Sequence, residues 1–190
     1  MEIRAERPED IPGIRQVNIE AFDRVNEANL VDRLREATFT VSFVAIESEQ
    51  ETERIVGHIF YSPVEIVGDD GNPLRSLLPC SPSSSLSFTP PPLLGLAPMA
   101  VLPEYQRRGI GSQLIRHSLA ECDRLGYKAI VVLGHPEYYP KFGFVPAKEK
   151  GLRCEYPVPD EVFMVLELEQ GTLEGCSGLI RYRSEFNEVE

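Results

Sequence analysis

The sequence predicts a single mixed α/β domain that combines an antiparallel hairpin with amphipathic helices. Two observations predict this fold class. Some segments repeat apolar residues at helical spacing, and others are short runs rich in β-branched and aromatic residues. The chain has 190 residues, 42% of them hydrophobic, which is enough apolar material for a buried core. We therefore expect it to fold on its own.

The amino-terminal third is predicted to hold a short strand, two helices and a hairpin. Pro8, Glu9 and Asp10 suit the amino end of a helix, where acidic side chains meet the positive end of the helix dipole. A polar connection at 48–54 separates two β-rich runs and favours their antiparallel pairing. The predicted elements are a strand at 2–7, helices at 11–22 and 26–37, and strands at 40–47 and 55–67.

The rest of the chain is predicted to alternate strands and helices after a long loop. Residues 68–92 are rich in Pro and Ser, which favours extended, solvated chain and predicts a mobile loop. The predicted domain covers 1–169 with this insertion, and 170–190 form a tail without strong periodicity. The predicted elements are a strand at 93–102, a helix at 111–125 stopped by Gly126, a strand at 129–133, an aromatic turn-and-helix at 136–144 and a strand at 162–168.

Composition excludes several classes of function. A net charge of −11 repels phosphate backbones, so we expect no nucleic-acid partner. The four cysteines are too far apart for a metal or disulfide framework, and we expect reduced thiols and no metal. The amino terminus lacks the apolar core of a signal peptide, and no apolar run is long enough to span a bilayer. These patterns predict a soluble cytoplasmic protein without a membrane partner.

A strand, a tight loop and the start of a helix follow one another at 99–112 and predict an anion site. In this arrangement successive backbone N–H groups converge at the positive end of the helix dipole. Gly109 and Gly111 allow the backbone to approach a phosphate closely, and Arg107 and Arg108 supply charge-assisted hydrogen bonds. A plain strand-to-helix turn is the alternative interpretation of the two glycines.

Two other phosphate loops are excluded by residue type. The loop has no Gly-Lys-Ser/Thr ending, and it lacks the third glycine of a dinucleotide-binding turn. A nucleoside triphosphatase or a dehydrogenase is therefore not predicted.

The segment 99–111, Met-Ala-Val-Leu-Pro-Glu-Tyr-Gln-Arg-Arg-Gly-Ile-Gly, resembles the acetyl-CoA signature of the GNAT superfamily of N-acetyltransferases. A second segment, Tyr-Pro-Lys-Phe-Gly-Phe at 139–144, is similar to the Tyr-x-x-x-Gly-Phe element of that superfamily, and 133–144 resemble its bacterial-type predicted N-acetyltransferases. The order of the elements agrees with the superfamily from 2 to about 168. The resemblance implies a mainly antiparallel sheet flanked by helices and splayed near the cofactor strand.

The resemblance also implies the cofactor and its binding residues. Acetyl-CoA is the implied acyl donor, with its pantetheine arm paired to the main chain of one strand and its pyrophosphate bound at the start of the helix. The alternative is that residues 99–101 form an ordinary central strand and have no role in cofactor binding. The implied cofactor-binding residues are Met99, Ala100, Val101, Gln106, Arg107, Arg108, Gly109, Ile110, Gly111 and Ser112. The loop at 68–92 is predicted to be protease-sensitive and dispensable for this binding.

Acyl transfer needs a group that protonates the departing thiolate, and the resemblance assigns this role to Tyr139. The alternative is that Tyr139 only packs with Phe142 and Phe144. No general base stands out, because an amine can also lose its proton to a water chain. Glu65, His135 and Glu137 are candidates by type, but each is better explained as a solvated or structural residue. His58 is predicted to be a packed neutral imidazole, and His117 to be exposed.

Three functions compete at this point. The first is transfer of an acetyl group from acetyl-CoA to a primary amine of a small molecule, peptide or protein. The second is a non-catalytic acyl-CoA sensor, which would keep the loop without depending on Tyr139. The third is transfer of another acyl group, or transfer to oxygen. The acceptor and the oligomeric state, a homodimer included, are left open.

Overall fold

The computed structural model describes residues 1–49, 52–74 and 93–188. They belong to two compact units. Unit 1 comprises Met1–Ser62, Leu96–Cys122 and Ser184–Glu190. Unit 2 comprises Pro63–Gly95 and Asp123–Arg183.

The helices and strands follow the predicted order. The helices are α1 (Ile11–Phe22), α2 (Asn26–Leu34) and α3 (Ile110–Arg124). The first strands are β1 (Glu2–Ala5), β2 (Val41–Glu49), β3 (Thr52–Pro63), β4 (Glu65–Val67) and β5 (Leu93–Val101). The later strands are β6 (Ala129–Leu133), β7 (Val145–Pro146), β8 (Leu152–Cys154), β9 (Phe163–Glu167) and β10 (Gly178–Arg181).

In unit 1 the sheet contains β1, β2, β3 and β5, which lie side by side in that order. β1 and β2 pair antiparallel with Glu2 opposite Ile46, and β2 and β3 pair antiparallel with Val41 opposite Tyr61. The register of the β2–β3 pair shifts between Ala45 and Ile46, which marks a β-bulge. The predicted hairpin is therefore confirmed.

Strand β3 shows why helices cover both faces of the sheet in unit 1. Successive side chains of a strand point to opposite faces. Phe60 belongs to a buried cluster with residues of α1 and α2, whereas Tyr61 donates to or accepts from Ser118 of α3 at 2.6 Å. The other buried members of the cluster are Ile14, Leu30, Val31, Leu34, Val44 and Ile46.

In unit 2 the strands form two short ladders. β9 lies between β6 and β7 and pairs antiparallel with both, with Leu133 opposite Phe163 and Val145 opposite Val165. β10 lies between β4 and β8, antiparallel to β4 and parallel to β8. The predicted mixed α/β class with a mainly antiparallel sheet flanked by helices is confirmed.

Several predicted boundaries were wrong. The β-rich run at 55–67 is interrupted at Val64, so it forms β3 and β4 in different ladders. The second helix ends at Leu34 rather than at residue 37. β7, β8 and β10 were not predicted, because strands of two to four residues are too short to show an alternating pattern. β10 lies within 170–190, where no element was assigned.

One predicted side-chain environment and one predicted boundary in α3 were also wrong. His117 was expected to be exposed, but it is half-buried and its ring meets Phe43 edge-on at 5.2 Å between centroids. The helix was expected to end at Leu125, but Leu125 lies beyond its last residue and is 46% exposed. The apolar face is formed by Ile110, Leu114, Ile115 and Cys122, with Ser118 buried among them.

The loop prediction for 68–92 falls largely on residues outside the described ranges. Its first part, 68–74, forms a tight turn in which Gly68 N–H donates to Asn72 at 2.9 Å and Leu74 N–H donates to Ile66 at 2.8 Å. The prediction for 75–92 lies outside the described residues.

Candidate functional site

The segment after β5 is an exposed loop fastened to the strand that precedes it. Pro103–Tyr105 form one turn of 3-10 helix, and Gln106, Arg107, Arg108 and Gly109 are exposed. The Gln106 amide donates to the main-chain carbonyl of Val101 at 3.0 Å. This bond holds the loop at the end of β5 and occupies a carbonyl of the strand predicted to pair with the cofactor.

The backbone of the loop adopts the left-handed conformation at two residues before α3 begins. Arg107 has φ 61° and Gly109 has φ 84°, both in the left-handed region. Gln113 N–H donates to the Gly109 carbonyl at 3.0 Å, so Gly109 immediately precedes the first turn of the helix. By helix geometry, the N–H groups of the next three residues, Ile110, Gly111 and Ser112, have no carbonyl four residues back inside the helix. An anion at this point meets backbone donors and the positive end of the dipole.

Gly109 leaves the mouth of this loop open. A Cβ built on it meets nothing nearer than the Gln113 amide nitrogen at 3.9 Å. A phosphate oxygen can therefore approach the backbone directly, as the predicted binding of a pyrophosphate requires.

The start of α3 is held close to β3 by a glycine that sequence reasoning missed. A Cβ on Gly57 would lie 3.0 Å from Leu114 and 3.2 Å from Ile110. Any larger residue at 57 would push the first turns of α3 away from the sheet. A lone glycine in a strand pattern marks such a close approach, and that signal was present in the sequence.

An aromatic and cationic cluster beside the loop was also missed. The Arg54 and Arg108 guanidinium carbons lie 5.6 and 4.9 Å from the centroid of the Tyr105 ring. Arg54 also forms a salt bridge with Glu104 at 2.8 Å. Tyr105 is buried and fixes Arg108 over its ring by a cation–π contact, so Arg108 is partly oriented before any ligand arrives.

The residues predicted to bind the pantetheine arm lie at the end of β5. Ala100 is buried, whereas Met99 and Val101 are half-buried on the opposite face of the strand. Pro98 precedes them and has no N–H, so it cannot donate a ladder hydrogen bond.

Tyr139, in unit 2, opens a 3-10 helix that ends at Phe142 and is stopped by Gly143 in the left-handed conformation at φ 95°. Its ring is 6% exposed and meets Tyr138 and Phe144 edge-on, at 5.3 and 5.5 Å between centroids. Burial raises the pKa of the Tyr139 hydroxyl well above its ordinary value, and Tyr138 adds to the shift. The hydroxyl therefore stays protonated at neutral pH. Tyr139 thus packs with Phe144, as the alternative expected, and the Phe142 ring meets Tyr138 at 5.4 Å between centroids. This packing is compatible with a role in proton transfer.

Gly134 fixes the position of the Tyr139 ring. A Cβ on Gly134 would lie 2.2 Å from Cε2 and 2.7 Å from Cδ2 of Tyr139. The ring edge therefore rests on the backbone of residue 134, where no other amino acid fits without moving it. The sequence contained this glycine directly after β6, but nothing in the pattern indicated its partner.

The three candidate general bases are exposed to solvent, as expected of solvated residues. Glu65, His135 and Glu137 are all exposed. The His135 carbonyl accepts the Tyr138 N–H at 2.9 Å, so the main chain of His135 supports the turn before Tyr139. No general base is assigned among them.

His58 is the packed neutral imidazole that its strand position predicted. It is fully buried and lies in a chain of hydrogen bonds. Asn18 Nδ2 donates to the Ile14 carbonyl at 2.9 Å and approaches His58 Nδ1 at 3.1 Å. Nδ1 is therefore the acceptor, and Nε2 carries the proton and donates to Ser42 Oγ at 3.1 Å. The Ser42 hydroxyl in turn donates to Glu6.

This buried imidazole makes stability depend on pH. Burial lowers the pKa of His58 to about 3, and the charge of Arg35 adds to the shift. The unfolded chain, with a histidine pKa of about 6.5, then binds one more proton than the folded chain between these two values. The free energy of unfolding should fall by about 1.4 kcal/mol for each pH unit as pH drops through this window.

The variant His58→Gln tests that assignment by urea unfolding at pH 7 and pH 5. A glutamine amide can accept from Asn18 and donate to Ser42, but it does not titrate. Its unfolding free energy should depend on pH less steeply than that of the wild type. The slope should be smaller by up to about 1.4 kcal/mol per pH unit, the contribution of one proton. Identical slopes for the two proteins would contradict the assignment.

Within residues 1–49, 52–74 and 93–188, no group of three or more His, Cys, Asp or Glu side chains is placed to hold a metal ion. In the same part of the chain, no helix has the length and apolarity needed to cross a bilayer.

Comparison with known proteins relates this geometry to a family. Residues 40–146 match the family model of the acetyltransferase (GNAT) domain. Over 188 residues the chain is 35% identical to YhbS, an uncharacterized N-acetyltransferase of Escherichia coli strain K12, and the alignment covers 98% of this chain and 99% of YhbS.

Two solved structures are similar over almost the whole chain. The crystal structure of the Escherichia coli GNAT family N-acetyltransferase YhbS in complex with CoA has a TM-score of 0.80 at 33% identity, covering 98% of this chain and 91% of that one. A GNAT family acetyltransferase from Brucella melitensis in complex with acetyl-CoA has a TM-score of 0.70 at 31% identity, covering 97% of each chain.

Proposed function

This chain belongs to the GNAT family of N-acetyltransferases, and from that membership we propose that it transfers the acetyl group of acetyl-CoA to a primary amine of a small molecule or peptide. The observation that carries the proposal is the left-handed loop before α3, with exposed arginines and unhindered backbone at Gly109. The CoA and acetyl-CoA bound by the two similar structures support the choice of cofactor.

The loop would bind the pyrophosphate mainly through its main chain. The N–H groups of Ile110, Gly111 and Ser112 point along the helix axis toward the loop, and an anion there interacts favourably with the dipole. Arg107 and Arg108 are exposed and can add charge-assisted hydrogen bonds to phosphate oxygens. Gln106 has a supporting role, since its amide already bonds Val101.

The end of β5 would pair with the pantetheine arm. Main-chain groups of Met99 and Ala100 supply hydrogen bonds of the kind an added strand makes, while the Val101 carbonyl is used by Gln106. Because this recognition uses the main chain, the half-buried side chains of Met99 and Val101 can still pack within the fold.

Acetyl-CoA supplies an activated acetyl group as a thioester. The neutral amine of the acceptor forms the new C–N bond as the C–S bond breaks, and the amine proton leaves to water. The Tyr139 hydroxyl gives its proton to the departing thiolate and then regains a proton from water, which closes the cycle.

Calorimetric titration with acetyl-CoA and with CoA, followed by a thiol-release assay with a panel of amines, tests this function. The proposal predicts binding of both compounds and release that amines stimulate. Binding without amine-stimulated release would indicate a non-catalytic acyl-CoA sensor, and the absence of binding would contradict both.

The variant Gly109→Ala should weaken acetyl-CoA binding about tenfold. An alanine in the left-handed region costs about 1–2 kcal/mol, and relaxation of the loop turns N–H groups away from the phosphate. Gly126→Ala is the matched control, because Gly126 has φ 90° and open space around its Cβ position but follows the far end of α3. Calorimetry should show an unchanged dissociation constant for Gly126→Ala, and equal losses in both variants would contradict the assignment.

A further inference from the structure

The aromatic and cationic cluster beside the α3 loop joins two distant parts of the chain. Arg54 lies near the start of β3, whereas Tyr105 and Arg108 belong to the segment after β5. The two parts are adjacent because Leu102 N–H donates to the Val56 carbonyl at 2.9 Å, directly before the turn that contains Tyr105. The cluster therefore places a third arginine, from outside the loop, beside the proposed pyrophosphate site.

The three arginines at this place carry more charge than their acidic partners neutralise, in a protein whose net charge is −11. Arg54 forms a salt bridge with Glu104 at 2.8 Å. Within the described part of the chain, Arg107 and Arg108 form no salt bridge with a carboxylate. The local excess of positive charge favours the binding of an anion.

The Arg54 side chain is ordered and still accessible. Its guanidinium carbon lies 5.6 Å from the centroid of the buried Tyr105 ring, and its pairing with Glu104 fixes it further. The side chain is nevertheless 50% exposed. A guanidinium has five N–H donors, so one carboxylate leaves donors for a second anion. Because the side chain is already held in place, binding that anion costs less side-chain entropy.

CoA has one anionic group that the proposed function has not yet assigned. Its pyrophosphate is accounted for by the start of α3 with Arg107 and Arg108, but its ribose carries a further phosphate at the 3′ position. The ribose is attached directly to the pyrophosphate, so the 3′-phosphate must lie close to the same loop. Arg54 and Arg108 both lie within 5.6 Å of one ring centroid, which places Arg54 beside the proposed pyrophosphate contact.

We propose that Arg54 binds the 3′-phosphate of CoA and thereby sets a preference for CoA over 3′-dephospho-CoA. The inference rests on the proposed acetyl transfer and adds to it a residue that determines cofactor specificity. On binding, the guanidinium shares its donors between Glu104 and the phosphate. A phosphate carries more charge than a carboxylate and accepts charge-assisted hydrogen bonds from a guanidinium in the same way.

Calorimetric titration of the full chain with CoA and with 3′-dephospho-CoA tests the proposal. The measured quantity is the ratio of the two dissociation constants, and the wild type should bind CoA more tightly. Arg54→Met keeps an unbranched apolar stem but removes the guanidinium, and it should reduce the ratio about fivefold, the loss of one exposed charge pair. A change confined to the pyrophosphate loop would affect both compounds alike and would leave the ratio unchanged.

Two further variants separate the phosphate contact from other effects of the substitution. Arg153→Met is the matched control, because Arg153 is an exposed arginine of unit 2 that pairs with Asp69, and its ratio should equal that of the wild type. The double variant Arg54→Met/Glu104→Gln also removes the carboxylate that loses its partner. It should keep the reduced ratio of Arg54→Met, because the missing guanidinium is the cause.

The outcomes distinguish this inference from the proposed function. A wild-type ratio in Arg54→Met, or equal affinity of the wild type for both compounds, would overturn the inference and leave the proposed function intact. Recovery of the wild-type ratio in the double variant would also overturn it, because Arg54 would then only neutralise Glu104. A wild type that bound neither compound would contradict the proposed function itself.

Discussion

Replacing Tyr139 with phenylalanine should lower kcat for amine-stimulated thiol release by about 10²- to 10⁴-fold, the range that a positioned proton donor contributes. The change removes one oxygen atom and keeps the ring that Tyr138 and Phe144 contact. Packing should therefore be preserved, and the dissociation constant for acetyl-CoA should stay within about twofold of the wild type. Steady-state thiol release and calorimetry measure the two quantities.

Tyr138→Phe provides the matched control for that substitution. Tyr138 is the adjacent residue, it is half-buried, and Lys141 Nζ lies 3.7 Å from its ring centroid. Because it has no assigned role in proton transfer, its loss should change kcat by less than about threefold. A Tyr139→Phe enzyme with wild-type kcat would mean that Tyr139 only packs.

Gly134→Ala should lower kcat by about 10²-fold and also destabilise the protein. The new methyl group would lie 2.2 Å from the Tyr139 ring, so the ring must move. A displacement of about 1 Å in a positioned group is enough for a loss of this size. Thiol release reports the displacement, and urea unfolding reports the cost of overpacking, which we expect at about 1–3 kcal/mol.

A double-mutant cycle separates this steric effect from a general defect. In the Tyr139→Ala background the ring is absent, so Gly134→Ala should cost much less stability than in the wild type. Equal costs in both backgrounds would contradict the contact between Gly134 and Tyr139.

The long, strongly patterned elements of this fold could be predicted from the sequence. The hairpin of β2 and β3 was evident from two β-rich runs, and α3 from apolar residues at helical spacing before Gly126. β7, β8 and β10 have two to four residues each, and their pairing is decided by contacts with distant strands, which no local pattern encodes. The half-burial of His117 depends likewise on Phe43 of another strand.

The loop proposed to bind the pyrophosphate could be located from the sequence, because its residues are next to one another in the chain. Gly109 and the start of α3 follow β5 without interruption, so a local motif contains the candidate site. A lone glycine in the strand pattern signalled a close approach at Gly57, but the partners of Gly57 and Gly134 were not predictable. Each partner, Leu114 and Tyr139 respectively, approaches its glycine in space.

The most direct test of the account is mass spectrometry of an amine panel incubated with the enzyme and acetyl-CoA labelled with deuterium in the acetyl group. The account predicts an amine product that carries the labelled acetyl group, formed in proportion to the CoA released and much more slowly by Tyr139→Phe. Labelled acetate and unmodified amines, in the presence of bound acetyl-CoA, would contradict acetyl transfer to an amine.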